Sequence, residues 1–373
     1  MLAIEHTLTI EKFLHRGKER KRKINHSPFL LSSVRNKFYM AAYLLPETVL
    51  FTRIGFCMKA IVLTNQGGIE NLDIQEIETP QPKAGEVLVR VHAISINPVD
   101  FKTRKGGALY AAMKEDPPVI LGWDISGVVT AVGSDVKTLK EGDAVFGMVN
   151  FPGHGKAYAE YVAAPADHFA LKPQNISHAE AAATTLAALT AWQVLTQQAV
   201  VQKGQHLLMH AAAGGVGHYA VQIAKHLGLE VSGTASAANE DFLKEMGVDH
   251  FIDYTAQNIE DAAKDIDVVF DPIGGETTAK SLQILKTGGT LVSIVGGVKD
   301  HLAPIIQEKG ITAKNYLVKS SGADMQSLAQ LLQQGILKPH ISHQYSFEEM
   351  ATAHQQMETG KTRGKIIINV IKD

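Results

Sequence analysis

The segment AAAGGVGHYA, Ala211 to Ala220, carries the clearest chemistry in the sequence. It lies between an apolar run, QHLLMH, and an amphipathic one, VGHYAVQIAKHLG. A helix N-terminus offers unpaired N–H groups and the positive end of the helix dipole, so it suits a diphosphate wherever no side chain keeps the ligand away. Gly214, Gly215 and Gly217 remove those side chains around Val216. Gly215 to Ala220 reads as G-x-G-x-x-A, the dinucleotide fingerprint, in the strand-to-helix setting that fingerprint requires. The plain alternative is a tight turn without ligand.

About 20 residues further on, NAD-binding chains place an acid against the ribose 2′-hydroxyl. Thr234, Ala235 and Ser236 supply none, and Glu230 comes too early in the strand. Without a carboxylate a 2′-phosphate is not repelled, and Thr234, Ser236 and Asn239 can donate hydrogen bonds to it. NADPH is therefore expected over NADH. The same three residues also read as caps for the helix EDFLKEMG, Asn239 above all.

The elements that must hold such a site follow from periodicity. From Met58 to about Glu180 the pattern is short strands broken by Gly and Pro, with EVLVRVHAISIN alternating as a half-buried strand should. This half reads as a β-barrel-type domain. AEAAATTLAALTAWQVL then reads as a helical stretch, after which QHLLMH, EVSGTA, HFIDY, DVVFD and GTLVSIV are strands spaced by helices. Strand and helix in alternation imply right-handed βαβ units and a doubly wound parallel sheet, an α/β fold. A helix, MQSLAQLLQQG, and a last strand, GKIIINV, close the chain.

With 373 residues, 45 % hydrophobic and 20 % charged, the chain is long enough for two domains that each bury a core. A net charge of −2 gives no reason to expect nucleic acid as the main partner. One cysteine, Cys57, excludes an internal disulfide framework and any multi-thiolate zinc site, and fits a reducing cytoplasm. No run of about 18 apolar residues suggests a membrane span. Residues 1–57 stand apart, with ten Lys or Arg against four Asp or Glu and the run GKERKRK. They are expected to be a basic, disordered extension ahead of a functional start at Met58.

Beyond the glycine loop, several ordered segments carry a likeness: INPVDFKTRKG, LGWDISGVV, GDAVFG, AYAEYV, LTAWQVL, AAAGGVG and GKTRGKIIINV. Together they resemble the zinc-independent, quinone oxidoreductase-like branch of the medium-chain dehydrogenase/reductase superfamily. The resemblance implies a GroES-like substrate domain over residues 58–185, a Rossmann NADP-binding domain over 186–317, and a return segment over 318–373 that completes the substrate domain. It also implies a homodimer, NADPH as hydride donor, and a quinone or an α,β-unsaturated ketone or aldehyde as acceptor. Zinc-dependent members hold their metal with a Cys near the position of Asn97 and the His of a Gly-His-Glu triplet. Here Gly122, Trp123 and Asp124 replace that triplet, and the 16 histidines include no HExxH or paired spacing, so no metal is expected.

Asn97 matches the position at which relatives contact nicotinamide and substrate, and its amide can donate to an oxyanion; it can equally serve an Asx-Pro turn together with Asp100. Lys102 offers a cation to an enolate, or a solvated surface charge. Tyr158 is a proton donor or a structural wall. Thr190 resembles the family threonine beside the nicotinamide, or back-bonds within its helix. Tyr254 matches a tyrosine that lies against the adenosine end. Arg363 and Lys365 are cations in a turn that relatives fold over the cleft, where Lys365 is expected to bind the coenzyme, or they form a solvated turn before the last strand; Ala237, Ala238 and Asn239 stand where many relatives carry a lysine. Some relatives act mainly as NADPH-binding crystallins or RNA binders, which is the alternative to catalysis.

Overall fold

The structure is a computed structural model that describes residues 57–371 except residue 108. Apart from Cys57, the expected basic extension lies outside the described residues.

An antiparallel ribbon of β1 (Cys57–Leu63) and β2 (Leu72–Glu78) opens the chain. There follow β3 (Glu86–Ile96), β4 (Asp124–Val132), β5 (Ala144–Met148), β6 (Tyr161–Pro165) and β7 (Phe169–Leu171). Next come β8 (His206–Met209), β9 (Glu230–Ala235), β10 (His250–Asp253), β11 (Ile266–Asp271), β12 (Leu285–Ser293) and β13 (Thr312–Asn315). The chain ends on β14 (Ile341–Ser346) and β15 (Lys365–Asn369).

Two main sheets result. The first has the order β14-β15-β3-β4-β5-β7, with β6 also paired to β3, so the return strands β14 and β15 complete the GroES-like domain. The 11-residue β3 is its spine, because its inward residues Val87, Val89, Val91 and Ile94 are buried and β4, β6 and β15 all pair with it. β3 and β4 approach so closely that a Cβ on Gly127 would lie 2.0 Å from the Arg90 carbonyl oxygen.

The second sheet is parallel throughout and has the order β10-β9-β8-β11-β12-β13, the Rossmann arrangement in which the first strand stands at the centre. Leu207, Leu208 and Met209 on β8 are all fully buried, as a strand covered on both faces requires. Its switch point falls between β8 and β11. One edge departs from expectation: β13 has the sequence TAKN, whose polar, half-exposed pattern carries no apolar signal, and it makes six strands where five were read.

The helical stretch AEAAATTLAALTAWQVL is likewise two helices, His178–Ala183 and Leu186–Gln193. The break lies at Thr184 and Thr185, whose hydroxyls donate to the carbonyls of Glu180 and Ala182. The freed Leu186 N–H donates instead to Asp124 Oδ1 at 3.0 Å, so a carboxylate from the other domain starts the second helix.

Gly127→Ala is expected to cost at least about 2 kcal/mol in urea unfolding, because backbone rather than a flexible side chain must give way. A loss under 0.5 kcal/mol on the same scale would show that β3 and β4 are less tightly apposed.

Candidate active site

The glycine loop leaves β8 at its carboxyl end. His210 follows the strand, with Nδ1 3.2 Å from Thr234 Oγ1 and Nε2 2.8 Å from Ser281 Oγ. Burial pushes its pKa down to about 4, so the ring is neutral. The Ala211 N–H donates to Thr234 Oγ1 at 3.2 Å, and Gly214 N–H closes a turn onto the Ala211 carbonyl at 2.9 Å. Thr234 is thus buried beneath the loop and shapes it, rather than reaching outward as the sequence reading has it. Gly217 is held by close approach: a Cβ there would lie 2.3 Å from the Ala211 oxygen and 2.6 Å from that of Ala212. Gly214, Gly215 and Val216 stay half-exposed ahead of the ten-residue helix Gly217–His226.

The next turn gathers polar groups at the carboxyl ends of β9 and β10. Asn239 Nδ2 donates to Ser236 Oγ at 3.0 Å. Arg363, from the turn before β15, donates through Nε to Asn239 Oδ1 and through Nη2 to the Ala238 carbonyl, both at 2.8 Å, and lies over the Phe242 ring. Tyr254, whose N–H donates to the Ala235 carbonyl at 3.3 Å, is 63 % exposed. The return segment therefore supplies a guanidinium where the 237–239 turn itself has no cation. Across the switch point, Ile273, Val295 and Leu317 are exposed. Each comes two residues after an in-register row, Asp271, Ser293 and Asn315. The carboxyl edge thus has a polar, cationic half and an apolar half, as a dinucleotide lying across it needs. These residues fit that ligand.

The two domains meet at Lys365. A Cβ on Gly215 would lie 3.4 Å from its stem, and Gly364 N–H donates to the Ala213 carbonyl at 2.9 Å. Its ammonium donates to the Ile96 carbonyl at 3.1 Å and to Asn97 Oδ1, and lies 3.9 Å from Asp124 Oδ2. Asn97 Nδ2 in turn donates to Asp124 Oδ2 at 2.8 Å and, more weakly, to the Ser95 carbonyl. All three side chains are buried. Desolvation lowers the Lys365 pKa, while Asp124 and Asp100 oppose that shift.

Asn97 also caps the helix Pro98–Arg104 in a capping box with Asp100, whose Oδ2 accepts the Asn97 N–H at 2.7 Å. Its amide is committed to protein partners, so the turn-forming alternative describes it better than a free oxyanion donor. Lys102, on the same helix, is exposed and outside this cluster. Tyr158 is fully buried; its O–H donates to Asp100 Oδ2 at 2.9 Å, and His354 Nε2 lies 3.0 Å from it. It is a wall, with its hydroxyl turned inward and its pKa raised by burial. Thr190 donates to the Leu186 carbonyl at 2.7 Å, the back-bonded arrangement. Sequence reading missed Arg104, His354 and Glu358, which continue the buried network as Arg104 pairs with Glu358. No local spacing signals them, because helix residues 350–358 meet the Asn97 helix only through the fold.

Zinc does not fit here. The Cys position holds an amide, the triplet offers only Asp124, the two are hydrogen-bonded directly to each other, and an ammonium already lies beside both. Trp123 is a donor only, and its indole N–H is taken by the Gly153 carbonyl at 2.7 Å.

Two family models match the chain: an alcohol dehydrogenase GroES-like domain over residues 83–174 and a zinc-binding dehydrogenase domain over residues 246–368. The chain is similar to the 2-methylene-furan-3-one reductase of Solanum lycopersicum, 36 % identical over 325 residues that cover 84 % of this chain and 79 % of the relative. It is also similar to the chloroplastic NADPH-dependent alkenal/one oxidoreductase of Arabidopsis thaliana, at 35 % identity, covering 83 % of this chain and 79 % of the relative. Among solved structures, the quinone oxidoreductase from Coxiella burnetii matches with a TM-score of 0.80 and 36 % identity, covering 85 % of this chain and 100 % of that one. The chain belongs to the medium-chain dehydrogenase/reductase family and is an oxidoreductase of NAD(P)H-dependent type. No helix among the described residues is long and apolar enough to cross a membrane.

Burial holds three histidines neutral, His210 at about 4 and His218 and His354 at about 3. Unfolded, each takes a proton near pH 6.5, so the stability they contribute is complete above that pH and is lost as pH falls toward 4. Asp100 opposes them: burial raises its pKa to about 7, and its contribution fades as pH rises from 4 to 7. His354→Gln, which keeps a polar partner for Tyr158, is expected to reduce the acid-side slope of urea-unfolding stability by about 1.4 kcal/mol per pH unit between pH 6 and 4.5. An unchanged slope would show that His354 is already protonated in the fold.

Proposed function

We propose that this chain is a zinc-free, NADPH-dependent reductase whose acceptor is a quinone or the activated double bond of an α,β-unsaturated ketone or aldehyde. The observation that carries this reading is the buried ammonium of Lys365, hydrogen-bonded to Asn97 beside the glycine loop, where zinc-dependent members of the family place their metal ligands. The enone reading draws on the two plant relatives, and the quinone reading on the Coxiella structure.

Gly214, Gly215, Val216 and Gly217 would hold the diphosphate, and Ser236, Asn239, Arg363 and Tyr254 the adenosine 2′-phosphate end. The apolar row Ile273, Val295 and Leu317 suits the nicotinamide half and a flat acceptor. When bound, the coenzyme supplies a hydride. The rest is positioning and electrostatics. An acceptor that gains hydride at its β-carbon develops negative charge on its carbonyl oxygen, and the α-carbon then takes a proton from water. A buried, preorganised ammonium favours such charge more than an exposed one, because little solvent screens it. Lys365 takes the cationic role in place of Lys102: its ammonium donates to the Ile96 carbonyl and to Asn97 Oδ1, so it acts on that charge through its field and not as a free donor. The polar edge strand β13 suits pairing with a second copy, and a homodimer in light scattering is the expected state.

Lys365→Met, assayed at a temperature where it remains folded, is expected to lower kcat/KM for a small enone or a naphthoquinone by about 100-fold or more, and Lys102→Ala by less than about threefold. The reverse ranking would return the role to Lys102. Arg363→Ala is expected to raise KM for NADPH about tenfold or more while leaving that for NADH nearly unchanged, since charge-assisted bonds to phosphate are lost. Equal effects on both coenzymes would remove Arg363 from phosphate recognition.

A further inference from the structure

The opposite edge of the coenzyme sheet carries a cluster that the reductase reading does not use. His206, Glu230 and His250 are the first residues of β8, β9 and β10, three adjacent parallel strands. His206 is in register with Glu230, and His250 with Ser232, two residues along the same strand as Glu230. Residues two apart on a strand share a face, so all three side chains rise from one side of the sheet. Their ligand atoms lie within 4.8 Å of one another. The glycine loop leaves the other end of β8, roughly 13 Å away at about 3.3 Å per residue.

We propose that His206, Glu230 and His250 form a binding site for a first-row divalent transition metal ion, of which Zn²⁺ is the natural occupant by ligand type. Two imidazoles and one carboxylate make the N,N,O set that such ions prefer over Mg²⁺ or Ca²⁺. Two bonds of about 2.1 Å place ligand atoms roughly 3.4 to 4.2 Å apart. The cluster therefore needs only a small closure, and Glu230 and His250, each about half exposed, are free to make it. His206 is better anchored: its Nε2 lies 2.8 Å from Ser232 Oγ and its backbone N–H donates to Asp267 Oδ2.

The surrounding charges leave the cluster its own acid. Asp249 is paired with Lys225 at 2.6 Å and Asp267 with Lys286 at 2.8 Å, while Glu240 and Lys244 pair across the neighbouring hollow. Among the described residues the ion pair of Glu230 is with His250, at 2.6 Å, and that contact is one a metal ion replaces. His206, Ser232 and His250 line a surface hollow of about 510 Å³, so water can complete the coordination shell. A bound ion would clamp the starts of the three strands whose far ends carry the adenosine site. It would stabilise the fold by mass action without entering the reaction.

The test uses the full chain, stripped with chelator and titrated with Zn²⁺ by calorimetry, beside His250→Ala and His206→Ala. The chain has other histidines, so the readout is the difference between proteins. Wild type is expected to take up one Zn²⁺ per chain that both variants bind at least about tenfold more weakly. Its melting temperature should rise with Zn²⁺ while theirs does not, and Co²⁺ should give a visible spectrum in wild type alone. His250→Ala alters an exposed side chain and should keep the NADPH-dependent turnover of wild type. Equal Zn²⁺ uptake by all three proteins, or no wild-type uptake at about 100 µM, would overturn the proposal. Neither outcome would bear on the reductase reading.

Discussion

One buried cation holds the arrangement together. Lys365 begins the last strand of the GroES-like sheet, presses its stem toward the glycine loop of the Rossmann sheet, and puts its ammonium among Asn97, the Ile96 carbonyl and Asp124. An unpaired charge at that depth would cost several kcal/mol, so the partners are obligatory and their positions are fixed by it. Asp124 repeats the theme from the other side, since one carboxylate oxygen receives Asn97 and the other starts the helix Leu186–Gln193. Loop, helix start and return strand are thereby fixed relative to one another where the two main sheets meet.

The same constraint underlies our proposal that this reductase works without zinc. Where zinc-dependent members concentrate positive charge in a metal ion, this chain has an ammonium on a four-carbon stem, with an amide and a carboxylate to hold it. A metal and a lysine cannot share that space. Gly122, Trp123 and Asp124 stand where the resemblance places the zinc-binding triplet, and Lys365, over 200 residues away in the chain, reaches the same cluster. The turn 237–239 has no cation of its own, and Arg363 from the return segment supplies one at the proposed adenosine site.

Much of this was legible in the sequence, and what was not has physical reasons. The glycine loop, the alternation of strands and helices, and the missing acid after β9 are local patterns, and the structure has the parallel sheet they imply. β13 was invisible because an edge strand with polar residues has no apolar period. The break at Thr184 and Thr185 was hidden because helix propensity is local, whereas the groups that reward the break, Asp124 above all, come from another domain. Asn97, Tyr158 and Thr190 were each open between a chemical and a structural role. The structure gives all three internal hydrogen bonds, since a polar side chain at such depth must find a partner. His206, Glu230 and His250 escaped notice because whole βα units separate them in sequence, and only strand register makes them neighbours.

The proposed chemistry requires that a protein ammonium, not a metal, provide the positive charge beside the glycine loop. Its most direct test is NADPH oxidation by protein dialysed exhaustively against a strong chelator and shown free of metal by elemental analysis, with a small enone and a naphthoquinone as acceptors. Turnover equal to that of undialysed protein is the predicted result. Turnover that vanishes on dialysis and returns with one equivalent of Zn²⁺ would contradict it.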